Sequence, residues 1–481
     1  MKTTVPVIGK SKLELFRSKL GQAPWWLKKF FYSDTYFIVY AIIVFISWTT
    51  DTPEIAFAAI AILGIPSLII LDDFLPQLPI VFFSTCVFAT EDIGSYLNNG
   101  FILAILALYF TTVFVHMIIY KPQLIAKKAI LPWILGGFAL FLGGVGYPHR
   151  IAWDTKGIAQ YLSLAILPLV FYLCSAWSKE NEYLARTRYF SKFLIYFGTL
   201  ISFEVFYSLF FGNVLQGPMN YIRELARSGL TMRDFYYGWG ISNNAANLLL
   251  LLFPAGFYLG SKKQKGWLYY TLLGFLSYFG IFATMSRGAI VIALLETPIV
   301  IFAIIKWSKT RWKQLNIALI LFVIVATVAL VYFEQFKNLM KEAIDEKDTG
   351  RKELYQNAIR KFLINPITGG GYITNWFGNE EVVWFYHSTL FHIIGMMGTV
   401  GLIAYGYIYI NRYKIVCKGI SRDPFRGFVL MSLIGFEGYA MIDTATFLPF
   451  PFMTLIMILL AEAEVKSALG DKRLSQIQYI R

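Results

Sequence analysis

The chain has 481 residues, of which 57% are hydrophobic, 18% aromatic and only 15% charged, with a formal net charge of +14. Soluble domains carry about a quarter charged residues, so this composition excludes a soluble globular protein and indicates an integral membrane protein. The positive charge does not indicate nucleic-acid binding, because the lysines and arginines cluster in short loops between apolar segments, where they report topology.

The first 34 residues form a basic, amphipathic stretch that predicts an interfacial helix at the cytoplasmic face. Trp25 and Trp26 suit the headgroup level, and Lys28 and Lys29 suit the cytoplasmic side. Small residues of the kind that mark a cleavage site do not follow this stretch, so we expect no cleavable signal peptide.

About fourteen apolar runs follow, each near the roughly 20 residues that cross the hydrocarbon as a helix. They predict an all-α polytopic membrane protein. The runs lie near residues 35–50, 54–71, 77–93, 98–120, 130–147, 157–178, 193–212, 242–260, 266–285, 287–306, 315–333, 388–410, 427–443 and 447–463.

Alternate loops between these runs are rich in lysine and arginine, and the positive-inside rule then places both termini in the cytoplasm. Two longer polar segments fall on the outer side. The predicted regions are 1–34, the cytoplasmic or interfacial N-terminus; 35–212, an N-terminal transmembrane bundle; 213–333, a transmembrane region with an arginine-bearing outer loop and an SRG site; 334–387, a large extracytoplasmic catalytic loop; 388–463, C-terminal transmembrane helices; and 464–481, a cytoplasmic tail.

Arginines on the outer side work against this charge bias. The earlier outer loop carries Arg223, Arg227 and Arg233, and the large loop carries Arg351 and Arg360. One interpretation is that long loops escape the charge rule and hold solvated helices. The other is that these planar, permanently charged guanidinium groups bind an anionic substrate.

Arg287, in the string ATMSRGA, lies where one predicted span ends and the next begins. A charged side chain at the edge of the hydrocarbon either reaches the interface or faces a polar cavity, and we favour the cavity. The small neighbours Ser286, Gly288 and Ala289 would let other helices come close.

The stretch GRKELYQNAIRKFLINP predicts a helix that begins after a glycine and ends before Pro366. Its apolar stripe consists of Leu354, Ala358, Ile359 and Phe362. The TGGGY that follows predicts a turn, either an ordinary loop or one whose backbone N–H groups face an anion.

His387 lies at a predicted aqueous boundary, beside acidic and aromatic residues. A histidine there suits a general base or a donor to phosphate, although an interfacial histidine can also simply bond a helix end. His392 is expected to pack inside the bundle. Trp384 and Tyr386 suit stacking on sugar rings, but interfacial belts place aromatic residues at the same height.

Three strings occur in a characteristic order: ATMSRGA, then GRKELYQNAI with its exit NPITGGGY, then YHSTLFHIIGMMGTVGL. Together they resemble the O-antigen ligase and Wzy-type polymerase superfamily. The segment RDFYYGWGISNNAANLL also resembles the element that precedes a span in that family. The resemblance covers roughly residues 220–415.

Carried over residue by residue, the resemblance implies that Arg287, Arg351 and His387 are catalytic. One departure is Ser388, which occupies a position where the family often has asparagine. Arg233 is the preferred match for the arginine of the earlier loop, and Arg227 competes with it. With the aromatic residues, the predicted substrate-binding residues for the diphosphate and the sugars are Arg233, Arg227, Asn244, Trp384 and Tyr386.

The resemblance further implies a GT-C-like fold and glycan transfer from undecaprenyl diphosphate at the outer face of the bacterial cytoplasmic membrane. Arginines would stabilise the leaving diphosphate, so we expect no metal and no cofactor. His387 would accept the proton of the attacking sugar hydroxyl, and the anomeric carbon would invert. The implied partners are a lipid-linked oligosaccharide donor and acceptor, the bilayer, a flippase and a chain-length regulator.

Within this family, we favour a polymerase of capsule, exopolysaccharide, teichuronic-type or O-antigen repeat units over a ligase. The abundant Lys, Ile, Phe and Tyr are compatible with a Gram-positive source, which has no lipid A acceptor. A transporter is the alternative from another class, but the halves show no repeat and few mid-span ionisable residues, namely Glu204, Glu296 and Glu437. A third alternative is a metal-dependent glycosyltransferase that uses Glu380 and Glu381.

Overall fold

The computed structural model describes most of the chain, and its elements there are helical, with no β-strand among the described residues. The described ranges are 24–71, 73–87, 99–120, 124–147, 155–176, 183–211, 242–262, 266–284, 286–331, 351–371, 386–443 and 445–479.

The α-helices are numbered here in chain order. They are α1 Trp25–Phe31, α2 Asp34–Thr49, α3 Pro53–Ala59, α4 Ile65–Ile70, α5 Gln77–Phe83, α6 Gly100–Tyr120, α7 Ile130–Leu142, α8 Thr155–Ala176, α9 Tyr183–Phe211, α10 Ser242–Leu252, α11 Pro254–Gly260, α12 Trp267–Ala283, α13 Arg287–Trp307, α14 Arg311–Val331, α15 Arg351–Ile364, α16 Thr389–Cys417, α17 Pro424–Ala440 and α18 Thr454–Tyr479. Short π-helical segments, Ile60–Gly64 and Pro449–Met453, and short 3₁₀ segments, Ser84–Val87 and Ala445–Phe447, connect some of them.

Within the described ranges, five helical segments are long and apolar enough to cross a membrane, and a sixth follows if the bent pair α1 and α2 counts as one span. The five are Pro53–Ile70, Gly100–Tyr120, Arg186–Ser208, Arg287–Trp307 and Thr389–Cys417. The protein is therefore a polytopic, helical membrane protein, as predicted. The count of fourteen spans and the GT-C-like architecture stay predictions.

The outer helices show why the chain is so apolar. Helix α6 buries only Ile102, Ile105, Tyr109 and His116, while large apolar side chains such as Phe114, 67% exposed, point away from the protein. A helix that is apolar on its outer face as well as its inner one suits a lipid surrounding.

The interior is built around α9 and α10. Residues 245–252 of α10 are all buried, and the rings of Phe83, Phe193 and Phe197 stack on one another between α5, with its 3₁₀ extension, and α9. Helix α9 lies against α12 and α11 as well. Helices α9 and α10 therefore form the buried centre of the described bundle.

Helix α16 is broken at Gly398, whose backbone has φ 57° and ψ −147°. The break frees the carbonyl oxygens of Gly395 and Met396 from the usual helical bonding pattern. Instead, the N–H groups of Gly370 and Gly371 donate to them at 2.8 and 3.0 Å. The glycine turn after α15 therefore inserts into the break in α16.

The other side of the break is closed in the same way. Beyond Gly398, the N–H groups of Thr399 and Val400 donate to the carbonyl oxygens of Pro366 and Ile367 at 2.9 and 3.1 Å. The backbone hydrogen bonds that the break opens are thus completed by the turn 366–371. The alternative that these glycine N–H groups face an anion is wrong, because they bond backbone carbonyls.

Helix α15 is confirmed with the predicted start and end, and its predicted apolar stripe is confirmed in part, since Ala358 is buried and Leu354 and Phe362 are half-buried. Ile359 is 43% exposed, whereas Asn357, Ala358 and Lys361 are buried. The cause is the docking on α16, where a Cβ on Gly395 would lie 3.0 Å from Ala358. That close approach fixes which side of α15 faces inward.

Candidate functional site

The three predicted catalytic residues all lie at the beginning of a helix. Arg287 is the first residue of α13 and exposed, Arg351 is the first residue of α15 and half-buried, and His387 lies two residues before the start of α16, next to its N-cap Ser388. The first turn of a helix has N–H groups without helical partners and a partial positive charge, which adds to that of the arginines. Such positions favour an anionic ligand.

His387 has an unusual backbone conformation, with φ at 47°. This left-handed region is uncommon for residues other than glycine and persists where the surroundings hold it. The hydroxyl of Tyr355, on α15, donates to the carbonyl oxygen of His387 at 3.1 Å. Because this hydrogen bond joins α15 to the backbone of His387, the docking of α15 influences the orientation of the imidazole.

The imidazole of His387 faces an acidic residue. Its Nδ1 lies 3.5 Å from Oδ1 of Asp443, and the histidine side chain is 46% exposed while the aspartate is 15% exposed. With the carboxylate on the Nδ1 side of the ring, Nε2 is the nitrogen available to face a substrate.

From Asp443 a line of polar contacts reaches the helix that begins with Arg287. Asp443 interacts with the hydroxyl of Tyr439, which lies 3.1 Å from Oγ of Ser286. The Ser286 hydroxyl in turn donates to Oδ1 of Asn243, at the start of α10, at 2.8 Å. The starts of α10, α13 and α16 are thus joined through side chains of the α17 region.

Arg351 belongs to the same region, since its charge acts on the hydroxyl of Tyr439. The approach of α17 requires Gly288, because a Cβ there would lie 2.4 Å from the Ile442 side chain and 3.0 Å from the Tyr439 ring. The prediction that small residues beside Arg287 admit a neighbouring helix is confirmed.

Asp443, Tyr439 and Asn243 were missed in the sequence. A signal existed for Asp443, which is an acidic residue at the outer end of a predicted span, on the same side as His387. In the sequence, Asp443 lies in a short turn between two predicted spans, and nothing in the sequence indicates which turns meet.

The predicted substrate-binding residues have different outcomes. Asn244 is half-buried in the first turn of α10, next to Asn243. Tyr386 is fully buried, with its ring 5.9 Å from that of His392. Arg227, Arg233 and Trp384 lie outside the described residues, and the substrate-binding roles stay predictions.

Two polar residues of α15 lie beneath this site. Lys361 is 2% and Asn357 is 4% exposed, and burial lowers the pKa of the Lys361 amine to about 7. His392 is buried as expected. In the part of the chain that the structure describes, His, Cys, Asp and Glu side chains form no group of three or more that could hold a metal ion. The metal-free mechanism stays a prediction.

Residues 272–406 match the family model described as O-antigen ligase. The matched range contains Arg287, Arg351 and His387, so the predicted resemblance is confirmed. No curated protein matches the chain. The match supports an enzyme that transfers glycans, of the ligase or polymerase type, and gives no support to a transporter.

Proposed function

We propose that this protein is a glycosyltransferase that polymerises oligosaccharide repeat units carried on undecaprenyl diphosphate, at the outer face of the bacterial cytoplasmic membrane. The observation that carries the proposal is the line of contacts from His387 through Asp443 and Tyr439 to Ser286, beside Arg287. It brings a proton acceptor and two guanidinium groups to one region of the protein.

The arginines would act on the leaving group. Negative charge grows on the diphosphate as the bond from the anomeric carbon to the phosphate oxygen breaks. Arg287 and Arg351, each at a helix start, would stabilise that charge more in the transition state than in the bound donor. This electrostatic role is the one usually filled by a divalent cation, so the transfer proceeds without a metal.

His387 would act on the acceptor. As a sugar hydroxyl oxygen attacks the anomeric carbon, Nε2 takes its proton, and Asp443 stabilises the resulting imidazolium through Nδ1. One new bond between carbon and oxygen replaces the broken one, and a single displacement inverts the anomeric carbon. The freed undecaprenyl diphosphate then leaves.

Transfer to a different acceptor is the second candidate, because the matching family model carries the description O-antigen ligase. The same residues would serve both reactions, since only the source of the attacking hydroxyl differs. As a polymerase, the protein would work beside a flippase that supplies donors and a regulator of chain length.

The test uses purified protein in detergent, a radiolabelled undecaprenyl-diphosphate oligosaccharide and excess EDTA. We expect a ladder of longer lipid-linked chains from the wild type, and a rate that falls roughly 10²- to 10⁴-fold in His387→Gln. Arg287→Ala and Arg351→Ala should each lose about 10²- to 10³-fold. Lys352→Ala, an exposed change beside Arg351, is the matched control and should leave the rate unchanged.

The outcomes separate the candidates. A ladder in EDTA that needs all three residues supports the polymerase. Transfer only after a second acceptor is added identifies a ligase instead. A donor that stays unchanged in both settings, with folded protein, contradicts glycan transfer altogether.

A further inference from the structure

Lys361 carries a buried amine that has no hydrogen-bond acceptor among the described residues. Its side chain is 2% exposed, and among the described residues no atom accepts a hydrogen bond from its Nζ. Its aliphatic stem lies against Gly370, where a Cβ would come within 2.6 Å of the lysine Cδ. The missing side chain at Gly370 therefore makes room for the stem of Lys361.

Asn357 lies one helical turn before Lys361 on the same face of α15. It is 4% exposed, and neither atom of its amide group has a hydrogen-bond partner within the described ranges. Two polar side chains, with three donor hydrogens on the amine and two on the amide, thus point to the same side of the helix.

The neighbours of Lys361 are aromatic and basic. Nζ lies 5.8 Å from the centre of the Tyr386 ring, and both Lys361 and His387 lie close enough to His392 for their charges to act on it. Burial lowers the pKa of the amine, and no carboxylate of the described residues opposes this shift. The surroundings of this amine in the described part of the chain thus provide no counter-charge.

A buried polar group that makes no hydrogen bond destabilises the folded protein, and a buried ammonium does so more strongly. A methionine would fill the same space without that cost. An amine kept in such a place is explained if a ligand supplies the missing negative charge.

We propose that Lys361 and Asn357 form an anion-binding subsite that takes a carboxylate or phosphate group of the lipid-linked glycan. The proposal rests on the proposed function for the nature of the ligand. The amine would pair with one anionic oxygen, and the Asn357 amide would donate to a second. Phosphate oxygens of the lipid carrier and the carboxylate of an acidic sugar share this chemistry.

Binding has a second signature, which needs no variant. With a pKa of about 7, the free amine is mostly neutral at about pH 8, and an anion beside it would raise that pKa. Binding at that pH should therefore take up close to one proton per site. Titration calorimetry in two buffers of different ionisation enthalpy measures the uptake.

The experiment compares the dissociation constants of three probes for the full-length protein in detergent. They are undecaprenyl diphosphate, the same lipid carrying a neutral trisaccharide, and that lipid with one sugar replaced by glucuronate. Lys361→Met should raise the dissociation constant roughly 10- to 100-fold, and Asn357→Leu should raise it by a smaller factor. Lys352→Met, on the exposed face of α15, is the matched control and should change nothing.

Equal weakening for all three probes assigns the subsite to phosphate, and weakening for the glucuronate probe alone assigns it to an acidic sugar. Ligand-free Lys361→Met should also unfold at a higher temperature than the wild type. If the wild type binds and transfers while Lys361→Met binds every probe equally well, the subsite is wrong and the function stands. If the wild type binds none of the probes, both proposals fail.

Discussion

Two regions of the molecule bury charged residues, with opposite outcomes. On the predicted cytoplasmic side, the guanidinium of Arg186 meets the carboxylate of Glu462, and in the predicted membrane interior that of Arg412 meets Glu437, each pair almost fully buried. On the predicted outer side, Lys361 is buried just as deeply, but no carboxylate within the described residues faces it.

We interpret the charges of the two buried ion pairs as structural and, under the proposed function, the charges of the outer region as functional. A buried ion pair with matched hydrogen bonds is closed to other partners and holds helices in register. The outer region instead has a half-exposed imidazole, an exposed arginine and an amine without an acceptor in the described structure. Under the proposed function, these charges bind the ligand, and the paired charges contribute to the stability of the fold.

Breaking a closed pair should have the largest effect. Glu462→Leu leaves the Arg186 guanidinium buried without its carboxylate, and we expect a loss of about 3–5 kcal/mol in the free energy of unfolding. Thermal unfolding in detergent measures it. The double variant Arg186→Met/Glu462→Leu should regain most of the loss, and equal instability of the two variants would contradict this explanation.

Substitutions beside His387 should lower the rate of glycan transfer more than the stability of the protein. Asp443→Asn removes the charge that faces Nδ1 of His387, and we expect kcat to fall about 10²-fold with little change in KM. Asp51→Asn, in an exposed turn predicted to lie on the outer side, is the control. A rise in KM without a change in kcat would instead assign Asp443 to substrate binding.

The glycine turn 366–371 should affect both the stability of the protein and the rate of transfer. In Gly398→Ala, a Cβ would lie 2.7 Å from the carbonyl oxygens of both Pro366 and Ile367, in a backbone conformation that suits glycine. We expect a loss of roughly 1–3 kcal/mol and slower transfer, because α15 loses its anchor. Gly406→Ala in the same helix, where a Cβ meets nothing within 4 Å, should be neutral or stabilising, and equal losses would refute the anchoring role.

The smallest effect concerns pH. The amine of Lys361 has a pKa of about 7 when folded and an ordinary value of 10.5, so between these values the unfolded chain binds more protons. The cost of burying it is complete below about pH 7 and shrinks as the pH rises towards 10.5. Lys361→Met should therefore unfold higher than the wild type by on the order of one or two degrees at about pH 7, and by less at about pH 10. A constant difference would show that the amine is not desolvated.

Part of the site could be predicted from the sequence. Arg287, Arg351 and His387 stand beside helix boundaries, and boundaries follow from local signals such as a glycine before a helix or a change from polar to apolar residues. The buried face of α15 could be predicted only in part, because the apolar stripe correctly placed Ala358 inward but also suggested Ile359, whereas docking on Gly395 turned Asn357 and Lys361 inward.

By itself, the sequence determined that this is a helical membrane protein, because burying its apolar surface requires lipid, and that basic and acidic residues gather in its polar segments. Only the tertiary structure decided which of these residues meet. Asp443 lies far along the chain from Ser286. The glycine turn that inserts into the break of α16 packs against the stem of Lys361, whose Nζ has no hydrogen-bond partner among the described residues. Such contacts depend on the packing of whole helices, which local residue patterns do not specify.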